Sequence, residues 1–314
     1  MIKKSFRIFF TQNTQLIILI LLIAVFSIIV PQFATYKNLM NILKQTLVIS
    51  LACSGLALVI LSGNLDLSIG SLYTFTLVLS VGMQRSNNVL AVLVPIVAAL
   101  IVGLINGYIV TSFNVNSIIV TLGMYAVLAG LIMAYTKGNV IVGNYGTSYS
   151  LLAEFRIFHI QFYIFFYIII AIIYQIILKT TKFGRSIIYI GINQEAARIV
   201  GINYKRVVTL TFMICSLSIA MAAIFMGSRQ LQANTIAGVG LEFEALTAVL
   251  IGGVSLRGGK GSIYNAMIGV FLLAVIMNAL TLFGVAFEWR NIASGILILL
   301  ALGVDSFLRG KYAV

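Results

Sequence analysis

The chain has 314 residues, 61% of them hydrophobic and only 9% charged, and its 20 Lys and Arg against seven Asp and Glu give a formal net charge of +13. That much apolar side chain excludes a soluble globular domain. The basic excess would suit nucleic acid if it formed a stripe, but the cations sit at the ends of apolar segments, so no nucleic-acid partner is expected.

Ten apolar segments follow one another, at 15–33, 44–62, 67–84, 89–112, 117–136, 160–178, 207–228, 243–256, 263–284 and 290–308. A helix needs ~20 residues to cross a bilayer, and all but the eighth approach that length. They predict an all-α polytopic membrane protein of about ten transmembrane helices, with glycine-interrupted segments, in one domain over residues 1–314. Lys3, Lys4 and Arg7 precede the first segment as in a signal peptide, but no small-x-small cleavage site follows. It is therefore read as a retained span. With the N-terminus in the cytoplasm, every even-numbered segment ends there, and thirteen of the 20 cations fall on that side. The distribution follows the positive-inside rule and places the chain in a cytoplasmic (inner) membrane with both termini inside.

Between the second and third segments lies the first interruption, Gly63-Asn-Leu-Asp-Leu-Ser-Ile-Gly-Ser71. An ionised Asp66 at the bilayer centre would cost ~2.5–3.5 kcal/mol, so it belongs near a helix end or against a wet cavity. Two roles stand. As N-cap of the third span it would act with Ser68 and Ser71 on free backbone groups. Alternatively Asn64, Asp66 and Ser68 line a polar passage where the chain is unwound between Gly63 and Gly70. Gly103-x-x-x-Gly107 in the fourth segment permits tight helix contact, and bundle packing is expected over a subunit interface. Thr121 in the fifth segment and Asn278 in the ninth are further polar candidates for the pathway. The loop from Lys137 to His159 is read as a long outer loop whose exposed Tyr, Asn and Gly suit protein docking or serve as a linker.

A polar island, 179–206, carries Lys179, Lys182, Arg185, Arg198, Lys205 and Arg206 against the single acid Glu195. Within it Gln194 to Val200 reads as a short helix, with Asn193 as N-cap, Glu195 in the first turn and Gly201 at the left-handed stop. Glu195 and Arg198 are spaced to pair, and Ala196, Ala197, Ile199 and Val200 offer a small apolar surface. So short a helix must dock on something.

The short eighth segment leads into a second interruption, Gly252-Gly-Val-Ser-Leu-Arg-Gly-Gly-Lys-Gly261. Gly252, Gly253, Gly258 and Gly259, like Gly63 and Gly70, are candidate backbone hinges. Both interruptions end on a similar phrase, Gly70-Ser-Leu-Tyr73 and Gly261-Ser-Ile-Tyr264, and broken segments in both halves of a transporter point to its working parts. The glycine-rich stretch fails as a phosphate loop, because Val254 stands where Gly is needed and Gly261 where Ser or Thr is needed. Cys53, Cys215 and His159 have no partners at metal or redox spacing, and Glu242 and Glu244 fall on different helix faces. No catalytic constellation, metal site or cofactor is expected.

The spacing Glu195-Ala196-Ala197-x-x-x-Gly201 resembles the Glu-Ala-Ala…Gly coupling loop of ATP-binding-cassette importer permeases. The first interruption resembles the Gly-Gly-Ile-Asp-Leu-Ser-x-Gly-Ser element of the ribose, xylose, arabinose and autoinducer-2 permeases. Ile119-Val-Thr-Leu-Gly123 and Ala248 through Ser262 match further elements in the same order, so the similarity spans residues 40 to 305. The resemblance implies a translocation subunit, not an enzyme, that imports a small neutral polyhydroxylated solute, a monosaccharide such as ribose. It implies cytoplasmic ATPase subunits that receive the 179–206 loop, an external solute-binding protein, and a second permease copy or paralogue. Two departures bear on the solute: Asn64 replaces the second glycine of the first element, and Ala129-Gly130 stands where relatives often have Arg-Gly. The rival reading, an ion-coupled secondary transporter, leaves the Glu195-to-Gly201 element unexplained.

Overall fold

The computed structural model describes residues 14–310, so the basic residues Lys3, Lys4, Arg7 and Lys311 lie outside the described residues. The chain is almost wholly helical. In order it forms α1 (Thr14–Ile29), α2 (Tyr36–Gln45), α3 (Leu47–Leu61), α4 (Ile69–Gln84), α5 (Leu90–Phe113) and α6 (Ser117–Thr136). There follow α7 (Leu151–Glu154), α8 (Phe162–Thr180), α9 (Lys182–Ile192), α10 (Gln194–Ile199), α11 (Tyr204–Gln230), α12 (Leu241–Ile251), α13 (Ile263–Leu282) and α14 (Phe287–Gly310). Strands β1 (Ile141–Val142), β2 (Arg156–Ile157), β3 (Ile160–Gln161) and β4 (Gln232–Ala233) form two short antiparallel pairs, β1 with β4 and β2 with β3.

Among the described residues, α5, α6, α8, α11 and α13 are long and apolar enough to cross a membrane. Helices α2 and α3, bent by 44° at their junction, make a sixth crossing if taken together. Helices α1 and α4 are apolar but have 16 residues each. The expected eighth span is only the 11 residues of α12, about 16 Å at helical rise, against a hydrocarbon core of ~30 Å. The fold is an all-α multi-pass membrane protein, and helix length alone does not carry the count to ten.

Helix α11 is the hub, packed chiefly against α5, α3 and α4. Close approach is made by glycine. A Cβ on Gly55 of α3 would lie 2.8 Å from Cys215 Cα, one on Gly103 would lie 2.7 Å from Met213 Cα, and one on Gly107 would lie 2.5 Å from Thr209 Cα. The Gly103-x-x-x-Gly107 pair thus seats α5 on α11 within the bundle, as expected of small residues in membrane helices. Helix α3 is apolar all round and almost entirely buried, which marks it as a core helix.

The bundle has two distinct ends. At one, Leu61, Gly63, Gly191, Gly258 and Gly259 meet. At the other, the 137–159 connection closes over α4 and α11. Most of that connection is exposed, as expected of an outer loop, but it is tied to the bundle at defined points. Tyr149 is 1% exposed, lies 2.6 Å from Ser80 Oγ and donates to the Ile224 carbonyl at 3.0 Å, while Tyr145 is left outside. Gln84 holds Asn144 and Thr147, and Gly143 N donates to the Leu231 carbonyl at 2.8 Å. His159 turns out to occupy a left-handed position, φ 65°, in the tight turn between β2 and β3.

The polar island holds more helix than its charges suggest. Besides α10 it contains α9, whose Gly184, Ile187 and Ile190 face inward while Lys182 and Arg185 point away. Thr181 caps it, accepting from Gly184 N at 3.0 Å.

Candidate functional site

Helix α10 takes the expected local form. The Asn193 side chain accepts from Ala196 N at 3.0 Å, which satisfies a free donor of the first turn. Gly201 follows at φ 81°, and Ile202 N returns to the Ala197 carbonyl at 3.0 Å to close the C-terminus. Glu195 and Arg198 approach to 3.6 Å on the open face. Ala197 alone turns inward; Ala196 is exposed, and Ile199 and Val200 are 86% and 73% exposed. The helix therefore docks on its own chain by one small residue and presents an uncovered apolar tip.

Behind α10 is a junction of glycines from three separate stretches. A Cβ on Gly191, near the end of α9, would run into the Leu61 carbonyl and lie 2.5 Å from Gly259 N. One on Gly258 would come within 2.7 Å of Gly63 N. Gly259 N donates to the Leu61 carbonyl at 2.9 Å. Gly63, Gly258 and Gly259 all have positive φ, so these contacts need glycine for backbone shape as well as space. The two interruptions, distant in sequence, are thus pinned to one another and to α9.

The first interruption is unwound from Asn64 to Ser68. Unwound backbone at membrane depth must find donors and acceptors elsewhere. Here α6 supplies them: Leu65 N donates to Ser117 Oγ at 3.0 Å and Leu67 N to Thr121 Oγ1 at 3.1 Å. Asp66, fully buried, accepts through Oδ1 from Ser68 N at 2.9 Å and Ser68 Oγ at 2.6 Å. This is a local turn, not the expected N-cap, since α4 begins at Ile69 and has no side-chain cap. Ser71 likewise donates to the Ser68 carbonyl instead of receiving a free N–H. Asp66 and Ser68 are buried, and of the trio Asn64 borders a cleft. Asn106 joins the cluster, its Nδ2 donating to Ser68 Oγ at 3.1 Å.

The candidates therefore divide. Asn64, Asp66, Ser68 and Thr121 come together around the first interruption. Asn278 does not; it exchanges two 2.9 Å hydrogen bonds with Asn38 at the other end of the bundle. Gly70 is helical and meets Glu242, whose side chain a Cβ there would displace. Gly252 lets α12 approach the Asn265 carbonyl of α13, and Gly253 follows at φ 90°. The two similar phrases are not equivalent in space: Gly70 and Ser71 lie inside α4, whereas Gly261 precedes α13 and Ser262 caps it. Asn106 and Gly191 were not singled out in the sequence, and only the small-residue spacing near Asn106 hinted at close packing; Glu242 was considered only as half of an acid pair, not as a neighbour of Gly70.

A cleft of about 530 Å3 opens beside α10. Asn64, Asn114, Asn116, Gln194 and Tyr204 are among its polar lining residues and Leu65 and Val110 among its apolar ones.

Residues 38–302 match the family described as the permease component of the branched-chain amino acid transport system. The chain is 34% identical over 300 residues to the ribose import permease protein RbsC of Escherichia coli (strain K12), covering 94% of each. It is 32% identical over 308 residues to the ribose import permease protein of Haemophilus influenzae, covering 96% of this chain and 95% of that one. It is 27% identical over 304 residues to the L-arabinose ABC transporter permease protein AraH of Azospirillum brasilense, covering 94% and 87%. No solved structure matches it.

Proposed function

We propose a function from one premise: the chain belongs to the family of branched-chain amino acid transport system permease components. It is the membrane-spanning subunit of an ATP-driven importer for a small neutral polyhydroxylated solute, a monosaccharide such as ribose. The similarity to ribose and arabinose permeases over nearly the whole chain supports the solute class. ATP hydrolysis belongs to separate cytoplasmic subunits, delivery to an external binding protein, and a second permease copy or paralogue completes the pathway.

The observation that carries the reading is α10. It is a capped helix outside the bundle, joined through Gly201 to the hub helix α11 and tipped by uncovered Ile199 and Val200. Such a tip suits a shallow cleft on a partner protein, with Glu195, Ala196, Ala197, Arg198 and Gly201 as the coupling element of the 179–206 loop. Movement of α10 would be passed to α11, and across the cleft that Gln194 and Tyr204 share with Asn64 to the unwound segment, while the glycine junction carries it to Gly252–Gly259. The pathway candidates Asn64, Asp66, Ser68 and Thr121 lie where this motion converges; Asn278 stands apart near the opposite mouth. In this reading the chain forms one transmembrane domain of ten spans, with α1, α4 and α14 crossing, α12 crossing only with the 231–240 connection before it, and both termini cytoplasmic. A neutral solute also fits the absence, among the described residues, of paired charges around the unwound segment.

The test is reconstitution of the permease with its ATPase and binding protein in lipid vesicles. ATPase activity should rise when ribose, or another pentose, is supplied with the binding protein. No stimulation across a panel of pentoses would refute the solute class; no association with the ATPase would refute the importer reading itself.

A further inference from the structure

The cleft beside α10 shares Asn64 with the proposed pathway but extends from it to Gln194 of α10. Its lining mixes the carboxamides of Asn64, Asn114, Asn116 and Gln194 with two hydroxyls and with apolar side chains such as Leu65 and Val110, and no acid or base lines it. Phosphates and nucleotides would want cations there, and metal ions would want carboxylates. Neutral carboxamides mixed with apolar side chains suit a molecule that has hydroxyls on its edges and C–H groups on its faces. A volume of 530 Å3 lies within the range of small-molecule sites, ~300–1,000 Å3.

Its placement adds a second argument. The lining includes both Asn64, which opens the unwound segment, and Gln194, the first residue of α10. It also includes the turn between α5 and α6, where Asn114 sits in a left-handed conformation at φ 53°. A molecule held there touches the proposed coupling helix and the segment that it is proposed to move. Asn64 is also where this chain departs from the glycine of the sequences it resembles.

We infer that this cleft is a second, cytoplasm-facing site for the imported solute, and that its occupancy slows import by fixing α10 against the unwound segment. The inference rests on the monosaccharide importer reading and deepens it into product feedback.

Vesicles holding the complete complex, with ATP in the lumen and binding protein and labelled pentose outside, provide the test. Lumenal unlabelled pentose should lower the initial rate of labelled uptake, by about tenfold at ten times its dissociation constant if the occupied state does not transport. An equal osmolarity of betaine should not. Two variants remove cleft carboxamides without disturbing the backbone: Asn114→Gly, since glycine accepts the left-handed position, and Asn116→Ser, since serine still caps α6. Each should import into empty vesicles within about twofold of the parent while the half-inhibitory lumenal concentration rises about tenfold, the shift expected for loss of one hydrogen bond. Parent vesicles indifferent to lumenal pentose, or variants inhibited at the parent concentration, would overturn the inference and leave the importer reading intact. If no pentose enters empty vesicles, the importer reading fails first and the feedback site with it.

Discussion

Gly201 permits a substitution pair that separates the chain from its partner. It ends α10 at φ 81°, and a Cβ there would have no heavy atom within 4 Å. Any L-residue at this position pays the left-handed backbone cost, about 1–2 kcal/mol, and Ala and Trp pay it alike. The Cβ of either meets no neighbour, and the larger Trp side chain departs from an exposed position. A total stability of ~5–15 kcal/mol absorbs that cost, so both variants should accumulate in membranes at near-parental amounts. They differ in the bulk that they present to whatever covers Ile199 and Val200. Copurification of the ATPase with tagged permease is the assay. Gly201→Ala should retain the ATPase within a few-fold, and Gly201→Trp should lose it more than tenfold, a difference of at least ~1.4 kcal/mol in association. Equal retention by the two, or equal loss, would refute the assignment of α10 as the docking element.

Gly191→Val should do the opposite, since its side chain would enter the Leu61 carbonyl and the Gly259 amide; overpacking of ~1–3 kcal/mol should lower the amount of folded permease, read by detergent-resistant monomer on size exclusion. Asp66→Asn keeps an acceptor for both Ser68 donors and should spare more than half of pentose uptake per assembled complex; a tenfold loss with normal assembly would make its charge part of the pathway. Single cysteines at exposed Ser148 and Ile199, in a background lacking Cys53 and Cys215, should react with an impermeant reagent from opposite sides of the membrane, and same-side labelling would overturn the proposed topology.

Much of the helical layout was legible because long apolar runs leave little choice of structure in lipid. The shape of α10 was legible as well, since Asn193 and Gly201 are chemically specific punctuation. Helix α9 was not recognised because Lys182 and Arg185 drew attention to charge, although Phe183, Ile187 and Ile190 already had helical spacing. Tyr149 lies in a Gly, Asn and Ser-rich stretch without periodicity, and nothing local says that its hydroxyl will reach Ser80. Asp66 was misplaced for a subtler reason. An Asp two residues before Ser68 serves an N-cap and a local turn equally well, and only the start of α4 at Ile69 decides between them. The Asn38–Asn278 pair joins residues 240 positions apart and leaves no trace that a single sequence can reveal.

The unwound stretch before α4 owes its conformation to a neighbour. Two of its amides rest on hydroxyls one helical turn apart on α6, at 3.0 and 3.1 Å. A hydrogen bond has essentially lapsed by 3.6 Å, and an axial slip of α6 by a single residue is ~1.5 Å. Both contacts must therefore let go together, and the next registration offers Ile118 and Leu122, which have no hydroxyl to receive them. The arrangement is a latch with one closed notch, held by the registration of α6.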